Sequence, residues 1–422
     1  MKNIFIISLL MFAFAYTAYS QTQPEMEIEI PPLEDLEMIP DQFIVMIKES
    51  VAKPVILQDM GTVQDRNRKE TSGQLAREAN EAVINAVAER SGVKRDNILH
   101  VYADVVVGFA AKLTPDQVIR LQSDPDVEEV YQDFEFGLTQ TEVEYDPIIE
   151  ETAFAAQTTP CSITKAGGSV NGANKSTWIW IADTGIDLDH PDLNVETSGT
   201  FAKSFVWNES VNDGHGHGTH VAGIAAAKNN TIGVVGMSAG AKVVPVKVMK
   251  NNGKGSNSDI KAGLNHVAKH YIKGDVVNMS LGQKGKNNCE NTSLGIRNAI
   301  RNLADAGVHV VIASGNESSC ANDYFPGCID RTRVYTVGSI SCNNVCAASS
   351  NFSIGPVDWV AVGVSVLSTW KGGGYTTSSG TSMAAPIVAG IIHSKNGAPV
   401  SAGNISCGNG CAAAKNYKIA KR

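Results

Sequence analysis

Strand-length apolar runs alternate with longer helix-like stretches through the later part of this 422-residue chain. Trp178–Ala182, Lys242–Val248, Val276–Ser280, His309–Ala313 and Val334–Val337 read as buried strands. Residues 217–228, 258–270, 292–306 and 382–393 read as helices. Strands that lack a polar face must be covered on both sides, and strands joined through helices run parallel. The expected fold is therefore α/β, a parallel sheet with helices on both faces. Working residues in such sheets gather at strand carboxyl ends and adjoining helix starts. No internal repeat is apparent.

The formal net charge of −8 hides a division. Residues 21–155 carry 28 acidic and 11 basic side chains, a net of −17, whereas residues 156–422 carry 15 and 23, a net of +8. Opposite fields guide association and help fix orientation, so the two parts are expected to dock. The lysines and arginines of the basic part are scattered, so nucleic acid is not an expected partner. Residues 1–20 read as a secretory signal, with Lys2, the apolar core Ile4 to Ala15 and the small-residue end Ala18-Tyr19-Ser20. That core is too short to span a membrane, and no later stretch qualifies. A secreted monomer without membrane attachment is expected.

Residues 21–40 are acidic and contain proline, and read as disordered. Residues 41–136 read as a small α+β domain. Phe43–Ile47 is a strand, and Leu75, Ala79, Val83 and Val87 at spacing four mark a helix. Val101 to Leu113 reads as two strands around Gly108, Pro115 opens a short helix, and Val127 to Phe134 is the last strand. The order β-α-β-β-α-β is the ferredoxin-like split motif. Residues 137–155 read as an acidic linker that is cut.

Three segments carry chemistry. Trp178 to Gly185 is an apolar strand ending in Asp183 and a turn. Asp213 to Gly223 leads from a Gly-rich loop through His217 into an apolar helix. Gly380-Thr381-Ser382-Met383-Ala384-Ala385-Pro386 sets a serine among small residues at a helix start, with Pro386 expected in the first turn. A serine hydroxyl becomes a useful nucleophile beside a base, and small neighbours admit a substrate backbone.

The order Asp, His, Ser is that of subtilisin, and the three motifs together resemble the subtilisin-like serine proteases from about Ala155 to roughly Gly390. The resemblance implies that Ser382 attacks the scissile carbonyl, His217 moves its proton and Asp183 holds the imidazole. Ala313-Ser314-Gly315-Asn316-Glu317 resembles the family's oxyanion segment, which makes Asn316 a side-chain donor beside the Ser382 N–H. Residues 109–114 and 124–127 resemble the family's propeptide inhibitor domain, which assists folding and then plugs the active site with its C-terminal tail. Similarity puts the mature start near Ala155 or Ala156.

The resemblance also assigns binding walls. Ser280-Leu281-Gly282 and Ala313-Ser314-Gly315 would flank the pocket for the residue before the scissile bond, and Lys254-Gly255 would pair with substrate backbone as an added strand. Small and apolar walls favour a large apolar side chain, and Glu317 adds a taste for basic ones. A structural calcium site is implied at Gln157, Asp192 and Asn230, with carbonyls of Lys228, Ile232 and Val234; oxygen ligands of this kind suit calcium. No organic cofactor is expected. The expected partners are protein or peptide substrates and the chain's own propeptide.

All eight cysteines lie in the later part, and an even count in an exported protein reads as disulfides, with 105 possible pairings. Short loops favour Cys320–Cys328, Cys342–Cys346 and Cys407–Cys411, which leaves Cys161–Cys289. Competing readings are a zinc site at His215, His217 and His220, and an inactive relative serving as a binding module. Sequons at Asn278 and Asn316 read as coincidental.

Overall fold

Hydrophobic alternation and turn chemistry build the first domain of the computed structural model. The structure describes residues 37–57, 73–138, 156–284, 289, 294–353, 355–408 and 415–422. Strands Val127–Leu138, Met38–Ile47, Gly108–Lys112 and Ile98–Tyr102 lie side by side in that order, all antiparallel. This is the anticipated split motif. Gly108 is needed where two strands close: a Cβ there would meet the Val45 carbonyl at 2.2 Å. A capping box starts helix Pro115–Gln122, with Thr114 and Gln117 exchanging side-chain and backbone hydrogen bonds.

Three expectations need correction. Helix Gln74–Arg90 forms, but Leu75 is 83% exposed and the buried stripe is Asn80, Ile84, Val87 and Ala88. Leu75 is the second residue of this helix, ahead of the first buried position, Asn80. The first strand starts at Met38, inside the segment expected to be disordered, because Glu37 O accepts from Glu135 N at 2.9 Å beside the last strand. That last strand reaches Leu138, past the expected linker boundary. The signal and nearly all of the linker lie outside the described residues.

The second part is the expected parallel sheet. In space its central strands run Val357–Val362, Val334–Ile340, His309–Ala313, Val276–Met279, Ile179–Asp183, Lys242–Lys247. Side chains alternate between two cores. Ile179, Ile181 and Val311 face helices His217–Ala226 and Thr381–Lys395. Trp180, Val310 and Ile312 face helices Asn257–His270 and Leu294–Asp305. The C-terminal residues, uninterpreted from sequence, form a hairpin whose strand Lys415–Lys421 extends the sheet parallel to Val357–Val362.

The small domain packs onto the second core. Ile44, Met46, Tyr102, Val105, Val106, Phe134 and Phe136 join the apolar cluster beside Asn257–His270. Polar groups set the orientation. Asn265 Oδ1 accepts from the N–H groups of Ala103, Asp104 and Val105 at 3.2, 2.8 and 3.1 Å. Asp133 Oδ1 accepts from Ser258 N at 3.2 Å, placing a carboxylate at a helix N-terminus.

The disulfides differ from every expected pair. Cys161 bonds Cys342, Cys289 bonds Cys328, and Cys346 bonds Cys407. Cys342 and Cys346 flank a turn closed by Ser341 N to Val345 O, and each meets a different distant segment. Short spacing favours a turn here, not a bond. Cys320 is also disulfide-bonded; Cys411 lies outside the described residues.

Candidate active site

Asp183 ends the strand Ile179–Asp183, where parallel-sheet topology leaves strand ends open to a cleft. Its carbonyl accepts from Val248 N and Met249 N, which fixes the strand end. His217 opens the next helix, and its Nδ1 lies 2.8 Å from Asp183 Oδ1, both side chains fully buried. A carboxylate can only accept, so Nδ1 is the donor. Nε2 is buried without a hydrogen-bond partner and carries the lone pair. An imidazole whose Nδ1–H is held by a carboxylate is fixed in one orientation, with Nε2 as the end that can take a proton.

Two residues without an assigned role from sequence make that approach possible. A Cβ at Gly218 would lie 2.0 Å from the Gly185 carbonyl and 3.2 Å from the Asp183 Cβ. Asp213 is buried and accepts from Thr184 Oγ1, His215 N and Gly216 N on one oxygen, and from Thr219 N and Oγ1 on the other. It ties the Asp183 turn to the start of the His217 helix. The available signal was an acid four residues ahead of a helix-opening histidine.

Ser382 is the second residue of helix Thr381–Lys395. Pro386 sits inside this helix, not in its first turn as expected. Proline lacks the N–H that would bond the carbonyl four residues back, which is that of Ser382. Ser280 Oγ takes the place of that donor, at 2.9 Å from Ser382 O. Ser382 Oγ donates to Ser280 O at 3.3 Å. Asn316 Oδ1 accepts from the N–H of Thr381, the residue before Ser382, at 2.9 Å, and the NH2 is the donating end of the same side chain.

The wall Ala313-Ser314-Gly315 reaches the same point, with Gly315 N donating to Thr381 Oγ1 at 3.2 Å. Asn351, unforeseen from sequence, organises that loop. Its Oδ1 accepts from Glu317 N and Ser319 N, and its Nδ2 donates to Ser314 O and to Glu317 Oε2 at 2.6 Å. Burial pushes the Glu317 carboxyl up, with Asn351 partly opposing. Glu317 thus serves its own loop, and the expected taste for basic side chains loses its basis.

The other walls hold a peptide already. The strand Val127–Leu138 runs antiparallel between Lys254–Ser256 and Leu281–Lys284, with Phe136 opposite Gly255, Gly137 opposite both Lys254 and Gly282, and Leu138 opposite Leu281. Phe136 is buried against Phe134 and Phe325. The tail of the first domain therefore lies as an added strand across the cleft beside Ser280.

The three clustered histidines do not converge. His217 Nδ1 is held by Asp183, and His220 Nε2 lies on the Thr376 carbonyl at 3.1 Å. Burial, aided by His217, pushes His220 down to about 3. Among the described residues no group of three or more His, Cys, Asp or Glu side chains gathers around a metal position. Asn278, of the first sequon, is buried in a central strand.

Gln157, Asp192 and Asn230 do come together. Gln157 Nε2 donates to Lys228 O at 2.9 Å, Asn230 Nδ2 donates to Asp192 Oδ1 at 2.8 Å, and Val234 N donates to Asp192 Oδ2 at 3.0 Å. Burial pushes the Asp192 carboxyl up to about 6. Here the carboxylate accepts from Asn230, Val234 and the Tyr375 hydroxyl, at 3.3 Å for the last; only the donor types of Gln157, Asp192 and Asn230, a carboxylate and two carboxamides, are those that suit a hard cation.

Comparison with known proteins agrees with this geometry. Residues 174–394 match the model of the subtilase family of S8 peptidases, and residues 42–139 match that of the peptidase inhibitor I9 family. Alkaline serine protease ver112 of Corniculantispora psalliotae is 32% identical, over 75% of this chain and 78% of its own. Proteinase R of Parengyodontium album is 30% identical, over 84% and 79%. M-protease of Shouchella clausii strain KSM-K16 is 34% identical, over 70% of each. A buried Asp183–His217 pair, a serine-headed helix and an inhibitor tail in the cleft thus meet in one chain, which belongs to the subtilase family of serine proteases.

Proposed function

We propose that the chain is a secreted serine endopeptidase that matures by cutting itself. The observation that carries the reading is the tail strand, hydrogen-bonded between Lys254–Ser256 and Leu281–Lys284 next to Ser280 and Ser382. A peptide held in this way occupies the backbone track of a substrate next to Ser280, whose carbonyl accepts from Ser382 Oγ.

In the proposed reaction Ser382 Oγ attacks the scissile carbonyl carbon while His217 Nε2 takes its proton. Asp183 stabilises the imidazolium. Negative charge develops on the carbonyl oxygen, where the Ser382 N–H and the Asn316 NH2 donate. Collapse breaks the C–N bond, and His217 returns the proton to the leaving amine. Water then hydrolyses the acyl-enzyme by the same proton route. Loss of the Asn316 donor should cost roughly 3–4 kcal/mol of transition-state stabilisation, a value established on subtilisin itself. A large apolar side chain is the proposed preference at the residue before the scissile bond.

The test is the Ser382→Ala protein. It should accumulate as an unprocessed precursor and lose labelling by a serine-directed fluorophosphonate, whereas a zinc chelator leaves the wild type active. Rapid self-cleavage of the variant would defeat the mechanism. N-terminal sequencing of the secreted form would fix the mature start, proposed near Ala155 or Ala156.

Calcium belongs to the same proposal. Asp192, with side-chain oxygens of Gln157 and Asn230 and neighbouring carbonyls, would hold it and so tie the mature N-terminal segment to the loop after the His217 helix. Removal by EGTA should lower Tm by several degrees, since a bound ion stabilises by mass action. An unchanged Tm would remove calcium from the account.

A further inference from the structure

The tail strand is fastened by more than its backbone. Glu135 lies opposite Ser256, and its carboxylate is less than a fifth exposed. Lys250 Nζ is 3.2 Å from Glu135 Oε1, and Lys254 Nζ is 2.9 Å from Oε2. Both lysines stand on one tight bend, closed by Lys250 N to Lys254 O at 2.7 Å and Gly253 N to Lys250 O at 2.9 Å. The bend holds the ammonium groups on either side of one carboxylate. Burial opposes the charge on Glu135, yet the two lysines bring its carboxyl below the usual range. The nearby acid Glu209 does not compete, being engaged by Lys247 Nζ at 3.1 Å and Asn251 N at 3.0 Å. Glu37 reaches Lys254 from the inhibitor domain itself and leaves with it.

The inhibitor tail occupies the same backbone track that the proposed function gives to substrate. When it leaves, the bend and its two cations remain, in a part of the chain with a net charge of +8. We propose that Lys250 and Lys254 form a subsite for an acidic side chain of the substrate, at the position three residues ahead of the one that Leu138 occupies. The subsite rests on the endopeptidase reading and deepens it. It acts by charge, apart from the apolar preference next to the scissile bond.

The test uses the processed wild-type enzyme and internally quenched peptides Xaa-Phe-Gly-Leu-Thr-Gln, where Xaa is Glu, Gln or Lys. Cleavage is located by mass spectrometry. The Glu peptide should have a kcat/KM about threefold to tenfold above the Gln peptide, the range of two partly exposed ion pairs, with Lys lowest. The advantage should shrink in about 1 M salt, where the Debye length is about 3 Å. It should also vanish in the Lys250→Gln, Lys254→Gln double variant. Equal values for Glu and Gln in wild type, or a preference that survives in high salt, would overturn the subsite while leaving the protease reading intact. If no peptide is cut and fluorophosphonate does not label the protein, the protease reading fails and the subsite falls with it. The salt series needs no variant, so poor maturation of the double variant does not block the decision.

Discussion

At the scale of single residues, the site depends on atoms that are missing as much as on those present. Gly218 lacks a Cβ where one would collide with the Gly185 carbonyl, and Pro386 lacks the N–H that would hold the Ser382 carbonyl in its helix. The first absence lets His217 reach Asp183, and the second hands Ser382 O to Ser280. Gly218→Ala should therefore push the helix start off the strand end. We expect a loss of at least about 100-fold in kcat/KM, because a misplacement of about 1 Å is enough for that. Peptide kinetics on protein shown to be folded by circular dichroism would check it. A near-normal rate would mean that the strand and helix can separate without losing the pair.

At the scale of elements, the helix Asn257–His270 joins the two domains. One face packs on the sheet, and its N-terminal end and flank accept the inhibitor domain. Asp133 sits at its N-terminus, and Asn265 on its flank takes three backbone N–H groups that water would otherwise have to satisfy. Asn265→Ala removes that acceptor only in the docked state. Docking should weaken about tenfold or more, from a penalty of about 1–3 kcal/mol for stranded donors. The readout is a shorter latent period before full proteolytic activity appears after cleavage. An unchanged latency would show that another contact limits release.

At the scale of the whole molecule, burial sets a lower pH limit. His220 and His270 are almost fully buried, and desolvation pushes each down to about 3. An unfolded histidine titrates near 6.5, so below that pH protons bind the unfolded chain more readily. The stability these residues permit is complete above about pH 6.5 and is lost as pH falls toward about 3. Each unit costs about 1.4 kcal/mol per group. Urea unfolding of the Ser382→Ala precursor, which cannot digest itself on this mechanism, should show a midpoint falling between pH 7 and pH 5. His270→Gln should flatten that fall. A midpoint independent of pH in the Ser382→Ala precursor would contradict the burial of neutral imidazoles.

Periodicity determined the two architectures, because alternating or unbroken apolar runs and Pro or Gly punctuation are local properties. The strand Ile179–Asp183 and the helices around His217 and Ser382 are legible in that way. The motifs determined which side chains to bring together. Tertiary structure alone decided the rest. Cys342 and Cys346 are four residues apart yet bond Cys161 and Cys407, since pairing follows where side chains point and not how far apart they are in the chain. Leu75 fits the helical period but stays exposed, because the buried stripe of its helix begins only at Asn80. Glu317 looked like a pocket acid until Asn351, more than thirty positions on, took its carboxylate. Lys254 was legible as part of a substrate-pairing segment, but only the fold brings Glu135, more than a hundred positions away, between it and Lys250. Local pattern specifies elements because backbone geometry is short-ranged, whereas charge pairing, disulfide choice and burial depend on which distant segments the packed core brings within a few ångströms.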